Sequence, residues 1–382
     1  MMLKACSLGA GFALFAFVAT ASADLPVEKV TLAKMAPDNG HRLYVLDYAL
    51  MHGVDGKVHV IDGDSFRILG QITNGQMGSF NIAADGKTLY NATTFFSRGD
   101  HGVYTDVLEF YDPATLLPTG EIVLGQKRAQ STGVTALMPE SAKGQYLFVQ
   151  NVTPASSVTI VDLHTRKILS ELPMAGCYGI YPSLAEPRRF STLCGDGAAT
   201  TIGFDASGAE TARKRSAVFF DPDADPLFIT AAQTANSTLF MSFLGKIHDI
   251  DMSAETARET DSWSIIPAAI AAENWRPGGT EPIAYNAATK VLYVAMHPHG
   301  FEGSHKLGAH EIWKIDTVKR AVTARSASDG AVSLAVSRGP DPVLFTVNGE
   351  PASISRYDGQ SLSKLGETRR NMLDGGGPLL VQ

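Results

Sequence analysis

Four histidines, His297, His299, His305 and His310, fall within one short stretch of the chain, and imidazole is the commonest transition-metal ligand. No His-Glu-x-x-His helix or other carboxylate–His spacing fixes a coordination geometry around them. They read as residues of a surface loop. The acidic stretch Asp221-Pro222-Asp223-Ala224-Asp225 begins like a calcium loop. However, Pro226 stands where that loop needs glycine, and Ala232 where it needs a bidentate glutamate. It reads as an exposed acidic turn, so no metal site is expected. The sequence also lacks a Cys-x-x-Cys-His haem motif, a Gly-x-Ser-x-Gly elbow and a phosphate-binding P-loop. No catalytic group is expected on this chain. Asn91, Asn151 and Asn236 open Asn-x-Ser/Thr matches but lie in or beside expected strands.

The elements that must carry these residues are strands. A segment of the type Leu-Tyr/Phe-Val recurs seven times, at Leu43, Leu89, Leu147, Leu193, Leu239, Leu292 and Leu344. Each is followed by a second strand ending in Asp: Asp62, Asp112, Asp162, Asp205, Asp251, Asp316 and Asp358. A strand-rich period of about 40–50 residues is the mark of a β-propeller. The expectation is an all-β, seven-bladed propeller of four-stranded antiparallel blades over residues 24–382. Alternation is clear in Val58-His59-Val60-Ile61-Asp62 and Val158-Thr159-Ile160-Val161-Asp162. The closing Asp residues are expected to cap the turns that follow them, as Asx turns do. Two units carry enlarged loops between first and second strands, Thr93–Thr105 and His297–His310. Because they occupy the same place in the repeat, they must leave the same face. A further insert, 264–279, has the composition of a short helix at 265–275.

Residues 1–23 have the layout of a secretory signal peptide. Lys4 precedes an uncharged run from Leu8 to Ala19, and Ala21-Ser22-Ala23 offers a small-residue cleavage site. That run of about 12 residues is too short to be retained as a membrane span. An exported, periplasmic chain is therefore expected. The formal net charge of −7 disfavours nucleic acid and anionic membranes as partners. With Cys6 in the leader, Cys177 and Cys194 remain as an even pair in an oxidising compartment, which predicts a disulfide.

Several stretches resemble the heavy, propeller subunit of the quinone-dependent amine dehydrogenases, the methylamine and aromatic amine dehydrogenase family. These are Thr93-Thr94-Phe95-Phe96-Ser97-Arg98 with Thr105-Asp106-Val107-Leu108-Glu109-Phe110-Tyr111-Asp112-Pro113, and Gly176-Cys177-Tyr178 with Cys194-Gly195-Asp196-Gly197. Asn274-Trp275-Arg276-Pro277-Gly278-Gly279 also fits. Met296-His297-Pro298, Glu302-Gly303-Ser304-His305-Lys306 and Glu311-Ile312-Trp313 are most similar to the aromatic amine branch. The likeness runs along essentially all of the chain beyond the leader.

The resemblance implies a division of labour. Tryptophan tryptophylquinone would sit on a small Cys-rich light subunit, with no cofactor on this chain. Two heavy and two light subunits would assemble, and electrons would pass to a blue-copper protein or a cytochrome. Phe96, with its neighbour Phe95, would line the substrate channel at the light-subunit interface. Alternation along a strand would put one of these rings in the core and the other on the loop face. Arg98, His101, Trp275, Arg276, His297, His305 and Lys306 are expected on partner-facing loops. One departure stands out: the family's second basic pair in the first of these loops is replaced by His101-Gly102-Val103-Tyr104. The competing reading is a free-standing exported propeller that binds a ligand or protein without redox work.

Overall fold

The computed structural model describes residues 31–381; the expected leader and its cleavage site lie outside them. The compact unit that carries the repeats begins at Lys34. Its strands are almost all antiparallel neighbours in sequence, each pairing with the next. The first strands of the repeats are Arg42–Asp47, Leu89–Phe96, Tyr146–Asn151, Arg189–Cys194, Thr238–Ser242, Val291–His297 and Val343–Asn348. These central strands are nearly wholly buried, because each is covered on both faces by neighbouring sheets. The outermost strand Glu210–Arg215 is exposed along its whole length and carries four charged side chains.

The architecture is an all-β propeller, with one correction to the expected count of seven separate four-stranded blades. Five sheets stand apart, four of them four-stranded and one three-stranded. The remaining strands form a single eight-stranded sheet. The cause is the strand Ala321–Val336, which runs for 16 residues without a break. Its first half pairs with Ala309–Asp316 and its second half with Val343–Asn348, so hydrogen bonding is continuous from one repeat into the next. The three-stranded sheet lacks a regular inner strand. There the chain is irregular, and Pro139, which has no N–H, contributes only its carbonyl to Phe148 N at 3.0 Å.

The pairing of the two ends of the chain was not anticipated. The C-terminal strand Gly376–Val381 pairs with Arg42–Asp47, so the first sheet takes its innermost strand from the far end of the chain. Adjacent sheets are locked by aromatic side chains. Phe148 lies 5.0 Å from Phe190 and 6.0 Å from Phe204, centroid to centroid, in one continuous cluster. Cys177 and Cys194 are register partners on adjacent strands and form the expected disulfide.

Candidate functional site

The hairpin of Leu89–Phe96 with Tyr104–Tyr111 keeps its register to the end, pairing Phe95 with Thr105 and Phe96 with Tyr104. Thr, Phe, Tyr and Val favour the pleated backbone, so the strands extend further than the sequence reading placed them. Only residues 97–103 form the loop, closed by Ser97 N to Val103 O at 2.9 Å and Arg98 N to His101 O at 3.1 Å. Side chains alternate across the hairpin. Thr93 and Phe95 point towards Gly75, where an added Cβ would lie 2.7 Å from Thr93 Oγ1 and 3.1 Å from the Phe95 ring. Gly75 also has φ +50°, so glycine answers both the backbone and the space there.

Thr94 and Phe96 point the other way, over a buried polar network. Thr94 Oγ1 donates to Asp106 Oδ1 at 2.6 Å and accepts from Arg128 Nη2 at 2.7 Å and from Gln130 Nε2 at 3.2 Å. The Arg128 guanidinium also donates to the carbonyls of Gln76, Met77 and Ala129 at 2.8–3.0 Å, while its buried Nε has no partner. Burial pushes the Arg128 pKa down to about 10, against the pull of Asp106, so it remains a cation at neutral pH. Above this network lies a cavity of 440 Å³ walled by Phe96, Tyr104, Gln130 and Thr153. The Phe96 and Tyr104 rings sit 6.1 Å apart at 51°. An aromatic rim over a fixed cation can wall and orient a ligand. It places no nucleophile beside a base.

The second enlarged loop is bolted to the insert before it. The insert does turn, as a 3-10 helix over Ala268–Glu273. His299 N donates to Glu273 O at 2.9 Å, Gly300 N to Asn274 O at 2.8 Å, and Gly279 N to His305 O at 2.9 Å. Nearer the middle of the molecule, Glu281 is buried and accepts from Thr135 N at 2.9 Å and Thr135 Oγ1 at 3.2 Å. Burial raises its carboxyl pKa to about 7, opposed by the two Thr135 hydrogen bonds.

The expected site residues separate into groups. Arg98, His101, His305 and Lys306 are exposed, and Arg276 is half-buried. Trp275 and His297 are corrections, since neither faces out. Trp275 is buried against Trp313 at 5.2 Å and donates its indole N–H to Glu273 at 2.7 Å. His297 lies under Gly278, with a buried Nε2 that has no partner, and burial lowers its pKa. The division expected for the two phenylalanines also fails. Phe95 and Phe96 are both half-buried, because the hairpin projects past the core and neither ring reaches it. Among the described residues no three metal-ligating side chains converge. Asp221 Oδ1 instead accepts from the N–H groups of Asp223 and Ala224 at 3.0 Å, closing the acidic turn. Sequence reasoning missed Arg128, Gln130 and Glu281, which no motif marks and whose partners come from distant parts of the chain. Thr94 and Asp106 lie inside the hairpin stretches that carry the resemblance, but no role was expected of them.

A propeller with an aromatic-rimmed hairpin and a bolted loop insert defines a class of scaffold with one elaborated end. Within that class, the family model described as methylamine dehydrogenase heavy chain matches residues 39–378. The chain belongs to that family. It is 26% identical over 348 residues to the methylamine dehydrogenase heavy chain of Methylophilus methylotrophus, covering 90% of this chain and 85% of the relative. For the heavy chain of Paracoccus versutus the identity is 28% over 347 residues, covering 87% and 77%. Among solved structures, a functionally unknown protein from Desulfotomaculum acetoxidans superposes with TM-score 0.61 at 13% identity, covering 89% of this chain and 98% of its own. The Pseudomonas aeruginosa periplasmic gluconolactonase does so with TM-score 0.57 at 13% identity, with the same coverage. These two show the fold alone.

Proposed function

We propose that the chain is the heavy, cofactor-free subunit of a periplasmic amine dehydrogenase that oxidatively deaminates primary amines, aromatic amines in preference to methylamine. Tryptophan tryptophylquinone on a small Cys-rich light subunit would supply the electrophilic carbonyl and the two-electron sink of the reaction. Two heavy and two light subunits would assemble, and a blue-copper protein or a cytochrome would take the electrons. The observation that carries this reading is the family match along residues 39–378, together with the Phe95–Phe96 hairpin at the end of the strands that bears the enlarged loops.

On this reading the chain's own residues bind, orient and exclude water. Phe96 and Tyr104 form an apolar rim that suits an aryl group. Arg128, held at its nitrogens by three carbonyls and Thr94, stiffens the floor beneath them. Arg98 and His101 at the exposed loop tip, with His305 and Lys306, would contact the light subunit. Two of the chain's three indoles have other employment. Trp275 and Trp313 each donate to a glutamate, and the Arg325 guanidinium lies 4.6 Å from both rings.

Co-expression with the small Cys-rich partner tests the reading. Amine oxidation is expected only from the assembled complex, with a higher kcat/KM for 2-phenylethylamine than for methylamine. Phe96→Ala should compress that ratio about tenfold with little change in melting temperature. Turnover by the single chain would overturn the division of labour. An unchanged amine preference in a fully assembled Phe96→Ala complex would remove Phe96 from the channel wall.

A further inference from the structure

A second cavity, of 310 Å³, lies between the acidic turn at Asp221–Asp225 and the His-bearing loop, well apart in sequence from the Phe96 hairpin. Its walls include the rings of Phe228, Phe243 and His305. The imidazole stands edge-on to both phenyl rings, 6.5 Å from Phe228 at 75° and 6.1 Å from Phe243 at 89°. Two carboxylates, Asp223 and Glu302, complete the lining. Neither has an ion-pair partner among the described residues. The nearby cation, Arg276, lies 5.7 Å from the Phe243 centroid, and Asp225 is the carboxylate that acts on it. Asp223 and Glu302 are exposed carboxylates at the cavity, and of the three rings beside them Phe243 already has the Arg276 guanidinium over it.

The walls are fixed. Asp225 Oδ1 accepts from Leu244 N at 2.7 Å, tying the acidic turn to the residue after Phe243. His305 O accepts from Gly279 N at 2.9 Å, and His299 N donates to Glu273 O at 2.9 Å, so the loop cannot swing away without breaking both. Aromatic faces attract cations through their quadrupole, and more strongly when the site is partly desolvated. Unpaired carboxylates select the same charge, while the apolar walls reject a small hydrated metal ion.

From these contacts we infer that the Phe228–Phe243–His305 cavity is a binding site for an organic ammonium ion bearing a single aryl or short alkyl tail. The site is a different cavity from the one walled by Phe96 and Tyr104, and its own lining holds no group that could take a hydride or form an imine. Its volume is at the small end of ligand pockets, which suits one ring and an ammonium head. The occupant would be held by charge and ring faces rather than by covalent chemistry.

The test uses trimethyl(2-phenylethyl)ammonium, a quaternary cation that cannot be deaminated, with 2-phenylethanol as the neutral comparison. Calorimetric titration of the full chain, alone and assembled with the light subunit, should show saturable one-site binding of the cation and none of the alcohol. The double change Asp223→Asn with Glu302→Gln should weaken binding at least tenfold. Phe243→Leu, which keeps apolar bulk and removes the ring face, should weaken it at least threefold. Melting curves confirm that each variant is folded. Failure of the cation to bind, equal binding of the alcohol, or affinity unmoved in folded variants would each overturn the assignment. So would binding to the free chain that disappears on assembly, because the pocket would then be a socket for a partner side chain.

Discussion

The two ends of the strands are built on different rules. At one end, each of the seven aspartates that close the second strands accepts backbone N–H groups two to four residues further on. Asp162 Oδ1, for example, takes His164 N and Thr165 N at 2.8 Å, and Asp358 Oδ1 takes Gln360 N at 3.0 Å and Ser361 N at 2.7 Å. Asp62, Asp112, Asp205, Asp251 and Asp316 do the same. At the other end, order depends on distant partners. Arg128 reaches the carbonyls of Gln76 and Met77, Thr135 reaches Glu281, and Gly279 reaches His305. A turn that satisfies its own donors locally stays short and leaves little for a ligand. Loops that need long-range bonds can grow, and they leave rings and charges free at their tips.

The comparison predicts a ranking of mutational costs. Arg128→Met should be the most damaging. It strips a buried cation from Thr94 and three carbonyls and leaves Asp106 buried without it. Arg128 and Asp106 are bridged by Thr94 rather than bonded directly, and removing one charge from such a buried set costs up to about 3–5 kcal/mol, readable as a lowered urea midpoint with an unchanged slope. A loss below about 1 kcal/mol would mean that this end is not held together as described.

Glu281 gives a pH signature. Its folded pKa is raised to about 7 from 4.5 by burial. The folded state therefore binds more protons than the unfolded state between those values. Stability is full below the unfolded value and falls as pH rises through the folded one, by roughly 3 kcal/mol in all. Glu281→Gln keeps an acceptor for Thr135 and removes the titration. The variant should be flat across this window and more stable than the parent at pH 8. Parallel pH profiles for the two chains would remove Glu281 as the cause.

At the regular end, Asp162→Ala should cost only about 1 kcal/mol, the net worth of a local turn hydrogen bond. Its effect should also stay local in hydrogen exchange. A cost matching that of Arg128→Met would erase the distinction between the two ends.

What the sequence made legible follows the same division. The regular end was readable because period-two alternation and the Asp turns are local: the Val58–Asp62 and Val158–Asp162 segments are strands as expected, and all seven aspartates cap. The disulfide was readable because its two cysteines lie on one hairpin. Sheet boundaries were not. Nothing in residues 321–336 announces that one strand will serve two sheets, and the pairing of Gly376–Val381 with the first repeat joins opposite ends of the chain. At the elaborated end the loops were expected at the right points of the repeat but drawn too long, Thr93–Thr105 against 97–103 and His297–His310 against 298–308, and which of their side chains turn inward was not legible. Trp275 and His297 look like surface residues until the Trp313 stack and Gly278 are seen above them.

On the proposed function, the elaborated end would hold the partner and the Asp-turn end would not. Hydrogen–deuterium exchange on the chain, alone and after assembly with the light subunit, tests it directly. Residues 97–103 and 298–308 should gain protection of about tenfold or more, while the turns after Asp62, Asp162 and Asp358 exchange as before. Protection confined to the Asp turns, or none at either end in a stable complex, would contradict the account.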